Sequence, residues 1–305
     1  MTLYKFHTLD VFSDTKFGGN PLAVFTDGTG LSSTEMQAIA AEINYSETCF
    51  VLPPADSRHA AHVRIFTPKN ELPFAGHPNV GTGFLLARYP DLIPGTYNTK
   101  GFTFEEAAGL VHISPDYDAE GLVKATTITA PQTISLLGER PTEVIADAVT
   151  LNSADIIIRR SPPIIASTGV PFVLAETASR EALARATPNL SAFSHAQQNY
   201  GYDGDFFSVM LFFEDDIGIY HARMFSPLAG ITEDPATGSA CTTLGGLIAM
   251  RSEQQDHHFT FNIQQGDDMG RPSRLTVTVD KSNGLVGCPT VGGPCVEVMT
   301  GHFDL

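Results

Sequence analysis

Two stretches of this sequence combine residue types that could move a proton or hold a small anion. Glu71-Leu72-Pro73-Phe74-Ala75-Gly76-His77-Pro78 and Glu233-Asp234-Pro235-Ala236-Thr237-Gly238-Ser239-Ala240 each lead into an apolar, glycine-containing segment that reads as a helix. A helix start offers unpaired backbone N–H groups and the positive end of the helix dipole, which suits a carboxylate. Gly76 and Gly238 let a ligand approach that backbone closely. Pro78 fits a first helical turn, where its missing N–H costs nothing. His77 and Ser239 could reach the bound group, or these residues could be ordinary helix caps, since Ser and Asp cap helices for structural reasons alone. Asn44-Tyr45-Ser46-Glu47-Thr48-Cys49-Phe50 opens a strand with an acid. Glu47 is either a solvated strand edge or, if buried, a carboxyl that desolvation makes a competent proton shuttle. Gln265-Gly266-Asp267-Asp268-Met269-Gly270-Arg271-Pro272-Ser273 is a dense polar turn, read as a hairpin loop in preference to a catalytic segment.

Other chemistries fail on spacing. Gly81-Thr82-Gly83 lies inside a helical pattern, so it is no dinucleotide fingerprint. No Walker lysine pattern and no Gly-x-Ser-x-Gly elbow occurs. His59 and His62 sit three apart near a strand, which puts them on opposite faces, and His257-His258 are adjacent. Neither pair has metal-ligand spacing, so no metal site is expected. Cys49, Cys241, Cys288 and Cys295 form no C-x-x-C pair and read as reduced, mostly buried thiols.

These candidates need elements to hold them. Short apolar runs broken by Gly, Pro, Asp and Asn read as strands, among them 48–52, 62–66, 206–213, 218–225 and 275–279. Ser32-Ser33-Thr34-Glu35 is a capping box that opens a helix over about 33–42, and 181–186 is a weaker helix. Segments 79–88 and 241–251 are apolar nearly all round, the mark of helices buried on every side. Two long helices wrapped by many strands give an α+β class.

The order of these features repeats. Arg64-Ile65-Phe66-Thr67-Pro68 returns as Arg223-Met224-Phe225-Ser226-Pro227, 159 residues on. Gly76 and Gly83-Phe84-Leu85 return as Gly238 and Gly245-Gly246-Leu247, 162 on. Gly19-Asn20-Pro21 returns as Gly169-Val170-Pro171, 150 on, and Glu47 with Val51-Leu52 aligns with Asp205 and Val209-Met210, 158 on. Four collinear anchors imply two similar halves of about 150 residues. If the halves face each other, both helix starts open into one cleft and form an anion trap.

Charge narrows the partners. With 18 Lys+Arg against 34 Asp+Glu the net charge is −16, which argues against nucleic acid and against anionic membranes. A single carboxylate can still be held by local N–H groups. There is no 18-residue apolar run and no apolar leader segment at the N-terminus, so a cytoplasmic protein is expected.

Taken together, the Gly18-Gly19-Asn20-Pro21-Leu22-Ala23-Val24-Phe25, Ser46-Glu47-Thr48, Arg64–Pro68, Glu71–Pro78, Glu233–Ala240 and Gln265–Ser273 blocks resemble the PhzF (phenazine biosynthesis) family, in order and over essentially the whole chain. The resemblance implies the diaminopimelate-epimerase-like fold. That fold has two pseudo-symmetric halves, each a curved, mostly antiparallel sheet around a central helix, with the active site in the cleft between them. Residues 1–120 with a C-terminal strand at about 297–305 would form the first half, and 121–296 the second. The resemblance also implies isomerisation without a cofactor, in a homodimer. In the family's named enzyme a Glu moves a proton on trans-2,3-dihydro-3-hydroxyanthranilate, and that residue corresponds to Glu47. His77, Asp234 and Ser239 correspond to its catalytic partners, with Gly76, Thr237 and Gly238 binding the substrate carboxylate. One departure from the wider superfamily matters. Diaminopimelate epimerase and proline racemase carry a Cys at each helix start, and the starts at Ala75-Gly76 and Ala236-Thr237-Gly238 have none. One-carboxylate proton shuttling is therefore favoured over a two-thiol racemase. An epimerase of a small acid, and a non-catalytic dimeric module that binds small molecules, are the rival readings.

Overall fold

The structure is a computed structural model that describes residues 2–202, 204–216 and 218–305. The chain forms two compact units, Met1–Thr129 with Gly292–Leu305, and Ala130–Val291. In chain order the first contains β1 (Leu3–Val11), β2 (Asn20–Phe25), α1 (Ser33–Ile43), β3 (Glu47–Leu52) and β4 (Ala61–Phe66). It continues through β5 (Glu71–Leu72), α2 (Gly76–Arg88), β6 (Phe102–Glu106), β7 (Gly109–Tyr117) and β8 (Val123–Thr129). The second begins with β9 (Ser135–Glu139), α3 (Thr142–Ala148), β10 (Ile156–Ile157), β11 (Ile164–Ser167) and β12 (Pro171–Thr177). Then come α4 (Arg180–Arg185), α5 (Leu190–Tyr200), β13 (Val209–Glu214), β14 (Ile219–Ser226) and β15 (Ile231–Asp234). It ends with α6 (Gly238–Arg251), β16 (His257–Gln265), β17 (Ser273–Ser282) and β18 (Leu285–Val286), before β19 (Thr290–Asp304) returns to the first unit.

In the first unit β1 pairs antiparallel with β2, β2 runs parallel to β3, and β3 pairs antiparallel with β4. β4 then runs parallel to β6, and β6, β7 and β8 form an antiparallel meander. β19 pairs with both β1 and β8, so the ladder returns on itself. Within it lies α2, whose residues His77 through Ala87 are all buried. A helix this enclosed needs small residues where strands come close. A Cβ on Gly81 would stand 2.6 Å from Leu22 and Val11 side-chain carbons, and one on Gly83 would stand 2.6 Å from Ile113. The first unit reaches Thr129, not residue 120, because β8 completes the β7 ladder and packs on α2.

The second unit repeats this order. β11, β12, β13, β14, β16 and β17 pair antiparallel, parallel, antiparallel, parallel and antiparallel, as β1, β2, β3, β4, β6 and β7 do. α6 takes the place of α2, and a Cβ on Gly245 would stand 2.6 Å from Val277, as one on Gly83 would from Ile113. The strand registers correct one anchor of the repeat. Thr48 pairs with Phe66 and Val209 with Phe225, so the second-unit counterpart of Glu47 is Ser208, not Asp205. The 158-residue offset fails because Asp205 lies in the loop before β13.

That loop also shortens a strand. The run at 206–213 predicts a strand from Phe206, but β13 starts at Val209. Phe207 N–H donates to Gln197 Oε1 at 2.5 Å, and Gln197 Nε2 donates to the Asp205 carbonyl at 3.1 Å, which ties the loop to α5 instead. Helices α3 and α5 are absent from the sequence-based expectation. α5 buries Phe193 and Ala196 alone among its residues, too thin a stripe to read, and Asn189 caps it through Ala192 N–H. The Ser32 capping box is present as expected. All four cysteines are free, with Cys288 exposed and the others buried. No helix among the described residues is long and apolar enough to cross a membrane.

Candidate active site

The strand-and-helix repeat carries the same clamp twice. Arg64 Nε and Nη2 donate to the two Glu71 oxygens, each at 2.7 Å. Arg223 makes the same bidentate pair with Glu233 at 2.7 and 2.8 Å. The period-2 alternation of a strand also puts each guanidinium over the Phe two residues on, at 5.1 Å for Phe66 and 4.9 Å for Phe225. The clamps fasten β4 to β5 and β14 to β15, and thereby fix the short segments that deliver the chain to α2 and α6. This is the physical content of the repeated Arg-x-Phe and downstream Glu.

In the first unit, β2 and β3 run parallel with Leu22 opposite Glu47, and Ser46 Oγ donates to Asn20 Oδ1 at 3.1 Å. This fixes the first residue of β3, so that Glu47, half-buried, meets the start of α2. Glu47 Oε2 stands 3.3 Å from His77 Nε2. His77 is the second residue of α2 and is buried, and that burial pushes its imidazole down to about 3. The two groups are therefore a carboxyl and a neutral imidazole, not an ion pair. Ala75 occupies the N-cap and supplies no side-chain cap, so the ordinary-cap reading of His77 does not hold. Cys49, two residues along β3, is pushed upward chiefly by burial, so it stays a thiol.

In the second unit the start of α6 is held by a network. Thr237 Oγ1 donates to Asp234 Oδ2 at 2.5 Å. Gln265, the buried last residue of β16, accepts from Thr237 N–H at 3.1 Å and donates to the Asp234 carbonyl at 2.7 Å. Thr237 is the N-cap, again without a side-chain cap, and Gly238 and Ser239 are the first two helical residues. Cys241 lies inside the helix, buried, 3.6 Å from Gln265 Oε1, and burial pushes its thiol upward as well.

The structure therefore brings Glu47 and Gly76-His77 together in one unit, and Asp234, Thr237, Gly238 and Ser239 in the other. Gln265 was expected to belong to a hairpin loop. It is instead the buried side chain that ties β15 to the α6 start. Its signal was its place at the end of an alternating strand, where a polar residue in phase with Phe261 and Ile263 must point inward. Gln265→Leu removes a partner from Thr237 N–H and from the Asp234 carbonyl inside a buried site. We expect a loss of about 2–3 kcal/mol in urea unfolding, because unsatisfied buried polar groups carry their full desolvation cost.

A duplicated α+β unit, with a carboxyl and a neutral imidazole at one buried helix start, has the groups for acid–base chemistry on a small ligand. Comparison with known proteins places it more closely. The family model described as phenazine biosynthesis-like protein matches residues 9–301, and the chain belongs to that family, the PhzF family. It is 33% identical to the trans-2,3-dihydro-3-hydroxyanthranilate isomerase of Pseudomonas chlororaphis, over 90% of this chain and 89% of that one. It is 34% identical to an uncharacterized isomerase of Mesorhizobium japonicum over 96% of each chain. The crystal structure of a PhzF-family protein from Bacillus anthracis superposes with a TM-score of 0.88 at 26% identity, covering 100% of both chains.

Proposed function

We propose that this isomerase moves a carbon-bound proton on a small carboxylated substrate, cyclic or unsaturated, without a cofactor. The observation that carries the reading is the 3.3 Å approach of Glu47 Oε2 to the neutral His77 Nε2 at the start of a buried helix. In this reading Glu47 removes the proton and returns it elsewhere on the substrate. A neutral imidazole can hold or pass a proton without acidifying a neighbouring carboxylate as an imidazolium would. The N–H groups at Gly76 and Gly238 hold the substrate carboxylate, where preorganised donors cost no reorganisation as charge develops. Asp234 and Ser239 orient the substrate. That both helix starts serve one substrate is part of the proposal, and it draws on the duplicated order of the chain.

Two points support isomerisation over two-thiol racemisation. The helix starts have no cysteine, and the nearby Cys49 and Cys241 are buried thiols pushed away from ionisation. The test is NMR in heavy water with a panel of cyclic amino and hydroxy acids. Deuterium incorporation with a change of double-bond position supports the isomerase. Deuterium returned to the same carbon with inversion would make it an epimerase, and binding without exchange would make it a binding module.

A further inference from the structure

Glu106 closes β6 as a buried carboxyl to which the proton transfer above gives no part. Its place in the ladder is defined by the repeat. His62 pairs with Glu105 and His221 with Gln264, at matching positions of β4 and β14, so the next residues, Glu106 and Gln265, correspond. Gln265 organises the start of α6 through a carboxamide. At the start of α2 the corresponding side chain can ionise.

The surroundings of Glu106 suit its acid form. Neither of its oxygens meets a donor in regular hydrogen-bonding geometry. It lies beside Asn79 of α2, whose Nδ2 donates to the carbonyl of the N-cap residue Ala75 at 3.0 Å and whose Oδ1 has no partner. A protonated carboxyl can donate to such an oxygen, whereas an ionised one can only accept, and so competes for the Asn79 Nδ2 that holds the Ala75 carbonyl. On β3 the neighbouring titratable groups are the Cys49 thiol and Glu47. On α2 His77 is neutral. On β7 the opposite residue is Gly109, and on β4 His62 pairs with Glu105. No cation among the described residues acts on Glu106, and burial pushes its carboxyl up to about 8, outweighing the opposite pull of the Asn79 amide.

We propose that Glu106 is a positioning residue that keeps its proton in the working enzyme and, through Asn79, holds the Ala75–His77 start of α2 in its binding geometry. Ionisation breaks that link and sets a buried anion beside the site for the substrate carboxylate. The inference rests on the proposed function only in assigning the α2 start to substrate.

The test reads backbone 15N amide shifts of Gly76, His77 and Asn79 between pH 6 and 10, which needs no substrate. In the wild type they move together with a midpoint of about 8. Glu106→Gln, which supplies the residue of the second unit and cannot ionise, abolishes that transition. Asn79→Ala leaves Glu106 titrating but uncouples Gly76, and it serves if the first variant does not fold. The unfolding midpoint gives an independent readout. A carboxyl raised by folding from 4.5 to about 8 keeps a proton that the unfolded chain releases, so stability falls across that window and levels off above it. The melting temperature of Glu106→Gln relative to wild type therefore rises with pH to about 8 and is then constant. With substrate, wild-type kcat/KM falls about tenfold per pH unit above the midpoint, and the variant lacks that alkaline limb. An absent transition in the wild type, or an unchanged one in Glu106→Gln or Asn79→Ala, overturns the proposal. Failure of deuterium exchange with every substrate would instead sink the isomerase reading and leave the amide result standing.

Discussion

Glu47→Gln abolishes exchange of the substrate's carbon-bound hydrogen while the chain stays folded. The amide keeps the shape and hydrogen-bonding capacity of the side chain but cannot take a proton. Glu47 is the first residue of β3, and its strand is fixed by backbone pairing to β2 and β4. The substitution leaves that pairing in place. General acid–base catalysis by a positioned group contributes about 10²–10⁴-fold, so a loss at the upper end of that range is expected. It should fall on kcat more than on KM, because the carboxylate-binding N–H groups are untouched. The measurement pairs steady-state kinetics with deuterium uptake and far-UV circular dichroism. A variant that exchanges hydrogen at the wild-type rate would remove Glu47 from the mechanism. Ser208, its counterpart in the second unit, is buried and bonded to Ser226 at 2.7 Å, so the duplicated scaffold offers no second carboxylate at that register.

Arg223→Ala destabilises the protein by about 3–5 kcal/mol, and the same change at Arg64 costs about 1 kcal/mol or less. The two arginines make the same bidentate pair, so the difference comes from burial and from the backbone carbonyls that only Arg223 reaches. The Arg223 and Glu233 side chains are 8% and 14% exposed, against 18% and 39% for Arg64 and Glu71. Removing Arg223 leaves a carboxylate in a poorly solvated site. It also strips a donor from the carbonyls of Leu183, Ala184 and Ala186, which Arg223 Nη1 reaches at 3.0, 3.0 and 2.8 Å. These carbonyls lie at the end of α4, so the substitution loosens that helix as well. Glu71 in the Arg64→Ala protein is rescued by water. Urea unfolding of the two variants under one condition decides the matter, and equal losses would show that neither burial nor the carbonyl contacts set the cost.

Much of the scaffold was legible in sequence for a local reason. The all-round apolar segments could lie nowhere but inside, and they became α2 and α6. The repeated Arg-x-Phe with its downstream Glu was readable as a pattern, although its meaning as a clamp between neighbouring strands needed the ladder. α5 escaped because two buried residues, Phe193 and Ala196, do not make a periodicity. Aligning Glu47 with Asp205 failed because sequence offsets cannot see where a loop ends and a strand begins.

The sequence by itself determined the family, the duplication and the identity of the groups at the helix starts, because these are matters of residue type and order along the chain. Tertiary structure alone decided which groups ionise and which touch. His77 is neutral and 3.3 Å from Glu47, Gln265 is an internal tie and not a loop residue, and Glu106 is buried with no cation among the described residues acting on it. Each of these depends on desolvation and on strand register, which residues far apart in sequence impose on one another only when the ladders close.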